Sequence, residues 1–225
     1  MPVHKSSARH LYRIVPFHRF AQMLRNGRWY FAHPSEWEDP YETRISNDLS
    51  SIMFAQCWCR KAVSDAMWRI YSKDRLGVRL RVNEEALRLA LNAAQKTEKI
   101  HITLKKVKYI NEIQYVTESA KIKRDLSLRV TEARAAKHLF LKRTAFDHEA
   151  ESRVVLFDYR EPPGTTSKGR CIELNTAKLV TSMLIDPRAP DELAEALTLM
   201  LKRTLLFPGR VSKSVLYRQN KREEE

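Results

Sequence analysis

The chain has 225 residues, 43% of them hydrophobic and 30% charged, with only 5 glycines and 9 prolines. That is enough apolar side chain to fill a core, and too little glycine and proline for long flexible linkers. A formal net charge of +14 favours polyanionic partners such as nucleic acid, nucleotides or acidic protein surfaces, and also fits a soluble basic protein with solvated lysines.

Residues 1–10 carry charge with no hydrophobic stretch behind them, so they read as a flexible N-terminus and not as a secretory signal. Leu11-Tyr12-Arg13-Ile14-Val15 predicts a short strand. Phe17, Phe20, Ala21 and Leu24 then recur at helical spacing, and Gly27 supplies a stop. Arg28 to Ala32 predicts a second strand. Residues 33–48 have no period, with Pro34 and Pro40 interrupting any regular element. Ile52 to Cys57 is strand-like. Ser64 or Asp65 is placed to cap a short helix carrying Met67, Trp68 and Tyr71. Val78 to Val82 alternates strictly, and Asn83 precedes a helix with Glu84 and Glu85 in its first turn, where carboxylates suit the macrodipole.

Ile100, Ile102 and Leu104 alternate with polar residues, and Val107, Tyr109 and Ile113 do so less cleanly; both stretches predict strands. Residues 118–143 predict one long basic helix with an imperfect stripe of Leu126, Val130, Ala133, Leu139 and Leu141. Arg153 to Phe157 predicts a strand and Pro162-Pro163-Gly164 a turn. Cys171 to Leu174 and Met183 to Ile185 predict short strands. Asp191 opens an amphipathic helix with Leu193, Leu197, Met200 and Leu201. Val211 to Tyr217 predicts a last strand, and 218–225 a frayed tail. Strands and helices mix without a steady βαβ rhythm. The expectation is therefore an α+β fold, one domain over 11–217, with a mixed or mostly antiparallel sheet and flanking helices.

No apolar run is long enough to span a bilayer. Three cysteines, two of them at Cys57 and Cys59, give no disulfide framework. The expected address is the cytoplasm, with no membrane partner. A zinc site at Cys57, Cys59 and Cys171 lacks a fourth ligand and the usual spacing, so no metal is expected. The glycines are isolated, which excludes a phosphate-cradling loop, and Gly-x-Ser-x-Gly is absent.

Three segments mix charged and aromatic residues beside strand-like runs: 26–42, 67–80 and 148–155. If they meet, they form a polar cleft walled by aromatics. They also resemble an uncharacterised bacterial family, domain of unknown function 2971. The likeness lies in Leu11-Tyr12-Arg13, Asn26 to Phe31, Pro34 to Glu42, Met67 to Tyr71, Gly77-Val78 and His148 to Arg153, in that order. Ser152 stands where the family usually has Trp, and Trp37-Glu38 where it has Phe-Asn. The resemblance implies a toxin or phage-defence setting and no particular activity.

The order of Arg13, Tyr71, Glu149 and Glu151 resembles that of ADP-ribosyltransferases, with Arg13 replacing a first-strand His and no Ser-Thr-Ser motif present. That resemblance implies NAD or a nucleotide as cofactor or substrate. Glu151 would stabilise an oxocarbenium ion at the ribose, and Glu149 would activate an acceptor. Arg13 would clamp phosphate or ribose. Tyr71, Trp68, Asp39, Glu42 and Arg153 are the candidate cofactor-binding residues. Strand alternation across Glu149-Ala150-Glu151 would place both carboxylates on one face. Three other readings stand beside this one. The carboxylates could pair with Arg153, Lys142 or Arg143, with Trp68 and Tyr71 in the core. Alternatively, the basic segment 105–143 could make the protein a nucleic-acid-binding module, or the protein could be an interaction component without chemistry.

Overall fold

In the computed structural model, which describes residues 9–62, 64–160 and 167–218, strand β1 (His10–Pro16) passes directly into helix α1 (Phe17–Asn26). Gly27 ends α1 in the left-handed region at φ 64°, its N–H donating to the Met23 carbonyl, a conformation that costs a Cβ-bearing residue energy. Gly27→Ala should lower stability by about 1 kcal/mol, measured as a shift of the urea midpoint at unchanged slope.

β2 (Arg28–Ala32) follows, and the aperiodic stretch after it folds into 3₁₀ turns at Pro34–Glu36, Pro40–Thr43 and Ser50–Ile52. Next come β3 (Met53–Cys59), α2 (Asp65–Tyr71), β4 (Gly77–Asn83) and α3 (Glu84–Thr97). The Ser64 hydroxyl caps α2 by accepting from the Met67 N–H. Then follow β5 (Ile100–Lys106), β6 (Lys108–Ile110) and α4 (Glu112–Leu128).

The long helix expected over 118–143 is not one element. A capping box of Asn111 and Gln114 starts α4 earlier, which also takes Ile113 out of the expected strand, and the helix stops at Arg129. Thr131 then caps α5 (Glu132–Ala135), a 3₁₀ turn covers Ala136–Phe140, and β7 (Leu141–Arg143) is extended. The local signal for this break is Thr131, whose hydroxyl accepts from the Arg134 N–H and restarts the chain.

A 3₁₀ turn at Thr144–Glu149 leads to β8 (Glu151–Asp158), followed by β9 (Gly169–Glu173), α6 (Thr176–Leu179) and β10 (Val180–Ile185). The chain closes with α7 (Asp191–Leu199) and β11 (Arg210–Lys213), which ends before the expected Tyr217. The turn expected at Pro162-Pro163-Gly164 and the flexible ends expected at 1–8 and 219–225 lie outside the described residues. The fold class is α+β, and most strand pairs are antiparallel.

The chain separates into two units that alternate along the sequence. The first takes 1–27, 61–84 and 175–225. Its β1 and β4 pair antiparallel from His10↔Asn83 to Pro16↔Gly77, β10 lies antiparallel to β4, and β11 parallel to β10. Leu11, Val15, Val78, Leu80, Val82, Met183 and Ile185 are buried along these strands. Trp68 from α2 is in this core, and Phe20 meets Phe207 edge to face at 5.4 Å. Arg188 pairs with Asp186 at 2.7 Å and donates to the Trp68 and Ser72 carbonyls, placing a cation at the C-terminal end of α2, where the helix dipole favours it.

The second unit takes 28–60 and 85–174. Here β8 is central, antiparallel to both β3 and β5, while β2 pairs with β3 and β9. All eight residues of β8 are buried. A separate parallel pair joins β6 to β7. The core gathers Ile45, Ile52, Met53, Tyr115, Ile122, Leu139, Val155 and Phe157.

Candidate functional site

The polar residues of the second unit concentrate where the turn at 40–43, β7 and the start of β8 come together. Asp39 caps the turn by accepting from the Tyr41 N–H at 3.1 Å, and Glu42 at its third position is only 4% exposed. Lys142 on β7 is likewise buried. Glu149 ends the preceding 3₁₀ turn, and Ala150 adopts φ 45°, ψ 51° before β8 begins at Glu151. Strand alternation therefore does not place Glu149 beside Glu151; a left-handed alanine between turn and strand does.

Arg153, fully enclosed, is the hub. Its Nε donates to Glu151 Oε2 at 2.7 Å, its Nη2 to Glu42 Oε1 at 2.5 Å and its Nη1 to the Leu139 carbonyl at 2.8 Å. Its guanidinium also stacks 4.6 Å from the centre of the Trp37 ring. Lys142 Nζ sits 2.5 Å from Glu149 Oε2, 3.4 Å from Glu151 Oε1 and 3.9 Å from Glu42 Oε1, with the Phe146 ring centre at 4.8 Å. The Tyr109 hydroxyl accepts from the Glu151 backbone N–H at 2.8 Å. Beside the cluster, Arg143 pairs with Asp39 at 3.1 Å and lies over the Tyr41 ring at 4.0 Å.

Three carboxylates thus face two cations, so one carboxyl does best by keeping its proton. That group is Glu149. Burial pushes its pKa up to about 7, helped by its hydrogen bond to Glu151 and opposed by Lys142. Burial also works against the charge of Glu151, but Arg153 and Lys142 outweigh it and hold Glu151 below the usual carboxylate range. Burial tends to discharge Lys142; the charges of Glu151 and Glu42 more than offset this, and its pKa rises.

The raised pKa of Glu149 makes stability pH-dependent. Its contribution is fully present below the unfolded value of about 4.5 and is lost as pH rises through about 7. Glu149→Gln, which mimics the protonated form, should match wild type near pH 4.5. It should exceed wild type at pH 8 by up to about 3 kcal/mol. Urea denaturation at the two pH values measures the difference; a constant gap between the proteins would show that Glu149 does not titrate this way.

Five of the residues singled out in the sequence share this neighbourhood: Asp39, Glu42, Glu149, Glu151 and Arg153. The ion pairing of Glu149 and Glu151 with Lys142, and of Glu151 with Arg153, is present as well. The other three lie in the first unit. Arg13 sits opposite Leu80 on β1, at the position between buried Leu11 and Val15 on the same face, and is half-buried. Trp68 is 1% exposed and is a core residue, whereas Tyr71, at the end of α2, is 42% exposed. Lys142 is the central residue that sequence reasoning underused, because a helix reading of 118–143 gave it no reason to turn inward. Tyr109 and Phe146 were also missed as wall residues; their only sequence signal is aromatic character near the charged motifs.

Glu42 and His138 line a cavity of about 130 Å³, together with His33, Ser50 and Met53. Burial lowers the His138 imidazole to about 4, so it is neutral there. Among the described residues, no group of three or more His, Cys, Asp or Glu side chains is arranged to hold a metal, and no helix is long and apolar enough to cross a membrane. Of the basic middle segment, Lys105, Lys106, Lys108, Lys121, Lys123, Arg124, Arg129 and Lys137 are exposed. Lys142 and Arg143 are not part of that face; ion pairs draw them inward.

A family profile described as "Protein of unknown function (DUF2971)" matches residues 67–154, in agreement with the resemblance read from the motifs. No curated protein matches the sequence. Solved structures of DarT from Thermus sp. 2.9 align with 11% identity. The complex with NAD+ covers 92% of this chain and 96% of its own at a TM-score of 0.41. The carba-NAD+ complex has the same coverage at 0.43, and the complex with ADP-ribosylated ssDNA covers 95% and 98% at 0.43.

Proposed function

We propose that the second unit carries the reaction centre of a glycosyl-type transferase that uses NAD or a related nucleotide, with Glu151 and Glu149 as its catalytic pair. The observation that supports this reading most directly is the buried carboxyl pair itself, Glu149 and Glu151, which meet the same Lys142 ammonium at 2.5 and 3.4 Å. Burial pushes Glu149 up to about 7, while Arg153 and Lys142 hold Glu151 below the usual carboxylate range. Such a pair divides labour, one group stabilising positive charge and the other moving a proton near neutral pH.

In this reaction the nicotinamide–ribose bond breaks with its electron pair leaving on nicotinamide, and positive character builds at the ribose. Glu151 faces that charge. Its Oε1 contact with Lys142, at 3.4 Å, is longer than the contacts of 2.6 and 2.7 Å that Arg153 makes with Oε2, and a ribose hydroxyl takes that place. Lys142 stays with Glu149 at 2.5 Å. Glu149, once deprotonated, accepts the proton of the attacking hydroxyl or amine. Arg153 positions Glu151 through its fork of hydrogen bonds.

Two measurements test it. Calorimetry with NAD should give saturable binding, and purified protein should release nicotinamide in the presence of an acceptor pool of nucleic acid or cell extract. Protein that does neither would leave the buried cluster as a structural ion network.

A further inference from the structure

We propose that a groove beside this cluster, between the loop at 44–48 and helix α4, binds a nucleotide unit. It encloses about 540 Å³, within the range of small-molecule sites. Its floor is apolar, formed by the buried Ile45 and Leu126 with Val130. Its rim is cationic, with Lys123 on α4 facing Arg44, whose guanidinium is held 4.2 Å from the centre of the Tyr41 ring. An apolar floor suits a heterocyclic base, and paired cations suit its phosphate.

The amide Nδ2 of Asn47, which lines this groove, is buried and has no hydrogen-bond partner. The amide orientation is determined by its other end, because Oδ1 accepts from the Leu49 N–H at 3.0 Å. The loop is preformed as well, since the Asn47 N–H donates to Ser50 Oγ at 2.9 Å. The main chain and side chain of Asn47 thus fix the loop that walls the groove. Ile45 and Ser46 also line the smaller cavity that contains Glu42, so the groove adjoins the carboxylate cluster.

The nucleotide unit comes either free or within a single strand. The exposed Lys121, Arg124 and Arg129 along and after α4 favour a strand, because each further phosphate contact releases counterions. Binding is read without turnover, so this inference fails or survives separately from the reaction proposed for Glu151.

The test is anisotropy of a labelled single-stranded dodecamer at two salt concentrations, with calorimetry of a mononucleotide alongside. Ser127→Trp fills the groove from an exposed helix position and should weaken binding about tenfold or more. Lys123→Glu should do the same, while Lys178→Glu, an equal charge change in the first unit, should change it less than twofold. Asp48→Asn removes the acid of the rim and should tighten binding severalfold, a gain that misfolding cannot produce; Glu195→Gln should not. A mononucleotide that saturates one site and is lost in Ser127→Trp assigns the free nucleotide, and binding by the dodecamer alone assigns the strand. Equal loss in Lys123→Glu and Lys178→Glu, full affinity in Ser127→Trp, or no binding of either ligand would overturn the site.

Discussion

Arg153→Met is expected to cost about 3–5 kcal/mol of stability, the range for removing one partner of a buried ion pair. Wild-type Arg153 is 0% exposed and satisfies Glu42, Glu151 and the Leu139 carbonyl at once, with Trp37 over its plane. Methionine fills part of the volume and leaves all three acceptors without that donor. The carboxylates then bind protons more readily in the folded state, so the loss should be larger at pH 8 than at pH 5. Arg153→Lys keeps the charge but not the fork, and should fall between. The exposed pair of Lys121 and Glu118, at 2.9 Å with side chains 51% and 27% accessible, supplies the contrast. Lys121→Met should change stability by less than about 1 kcal/mol. Urea titrations of the four proteins measure these differences, and an Arg153→Met loss as small as that of Lys121→Met would remove the hub from this description.

Glu151→Gln is expected to reduce nicotinamide release by on the order of a hundredfold or more while the protein stays folded. The rate loss follows from removing the charge that faces the developing oxocarbenium ion. The retained fold follows from charge balance. With Glu151 neutral, Lys142 and Arg153 still face Glu42 and Glu149, and Glu149 gives up the proton it held for Glu151's sake. The pH dependence attached to Glu149 should therefore move to lower pH in this variant. Glu149→Gln should spare slow hydrolysis of NAD and impair transfer to an acceptor, because its role lies in activating the attacking group. Nicotinamide release measured with and without acceptor, beside urea midpoints, separates the two variants. Unchanged turnover in Glu151→Gln would end its catalytic assignment.

Much of the local structure was legible because it depends on neighbours in sequence. The strict alternation of 78–82 became β4, and the helical spacing from Phe17 with Gly27 beyond it became α1 and its left-handed cap. The strand at 28–32 has the expected ends. The reading failed where a weak stripe was extended across a break. From 111 to 143, the residues that decide are Asn111, Arg129 and Thr131, which start, end and restart the helical path, while Val130 and Leu139 turn into the core. An imperfect apolar stripe does not separate one helix from a helix, a turn and a strand that bury the same residues.

The candidate site divides in the same way. Residue types alone marked Asp39, Glu42, Glu149, Glu151 and Arg153, since charge beside aromatic and strand-like runs is unusual on a solvated face or in an apolar core. Composition established an excess of positive charge, and motif order established the family likeness that the profile over 67–154 supports. Which cations meet which carboxylates was a matter of tertiary structure. Lys142 and Glu42 are a hundred residues apart in the chain, and nothing local says that a β7 lysine enters the space between three carboxylates. The proton on Glu149 was also beyond the sequence. Burial removes water from three acids and two bases together, and at Glu149 that desolvation, with the hydrogen bond to Glu151, outweighs the attraction of Lys142 and raises its pKa. Sequence sets local conformation and the supply of charge; long-range packing sets which charges are desolvated together, and that decides their chemistry.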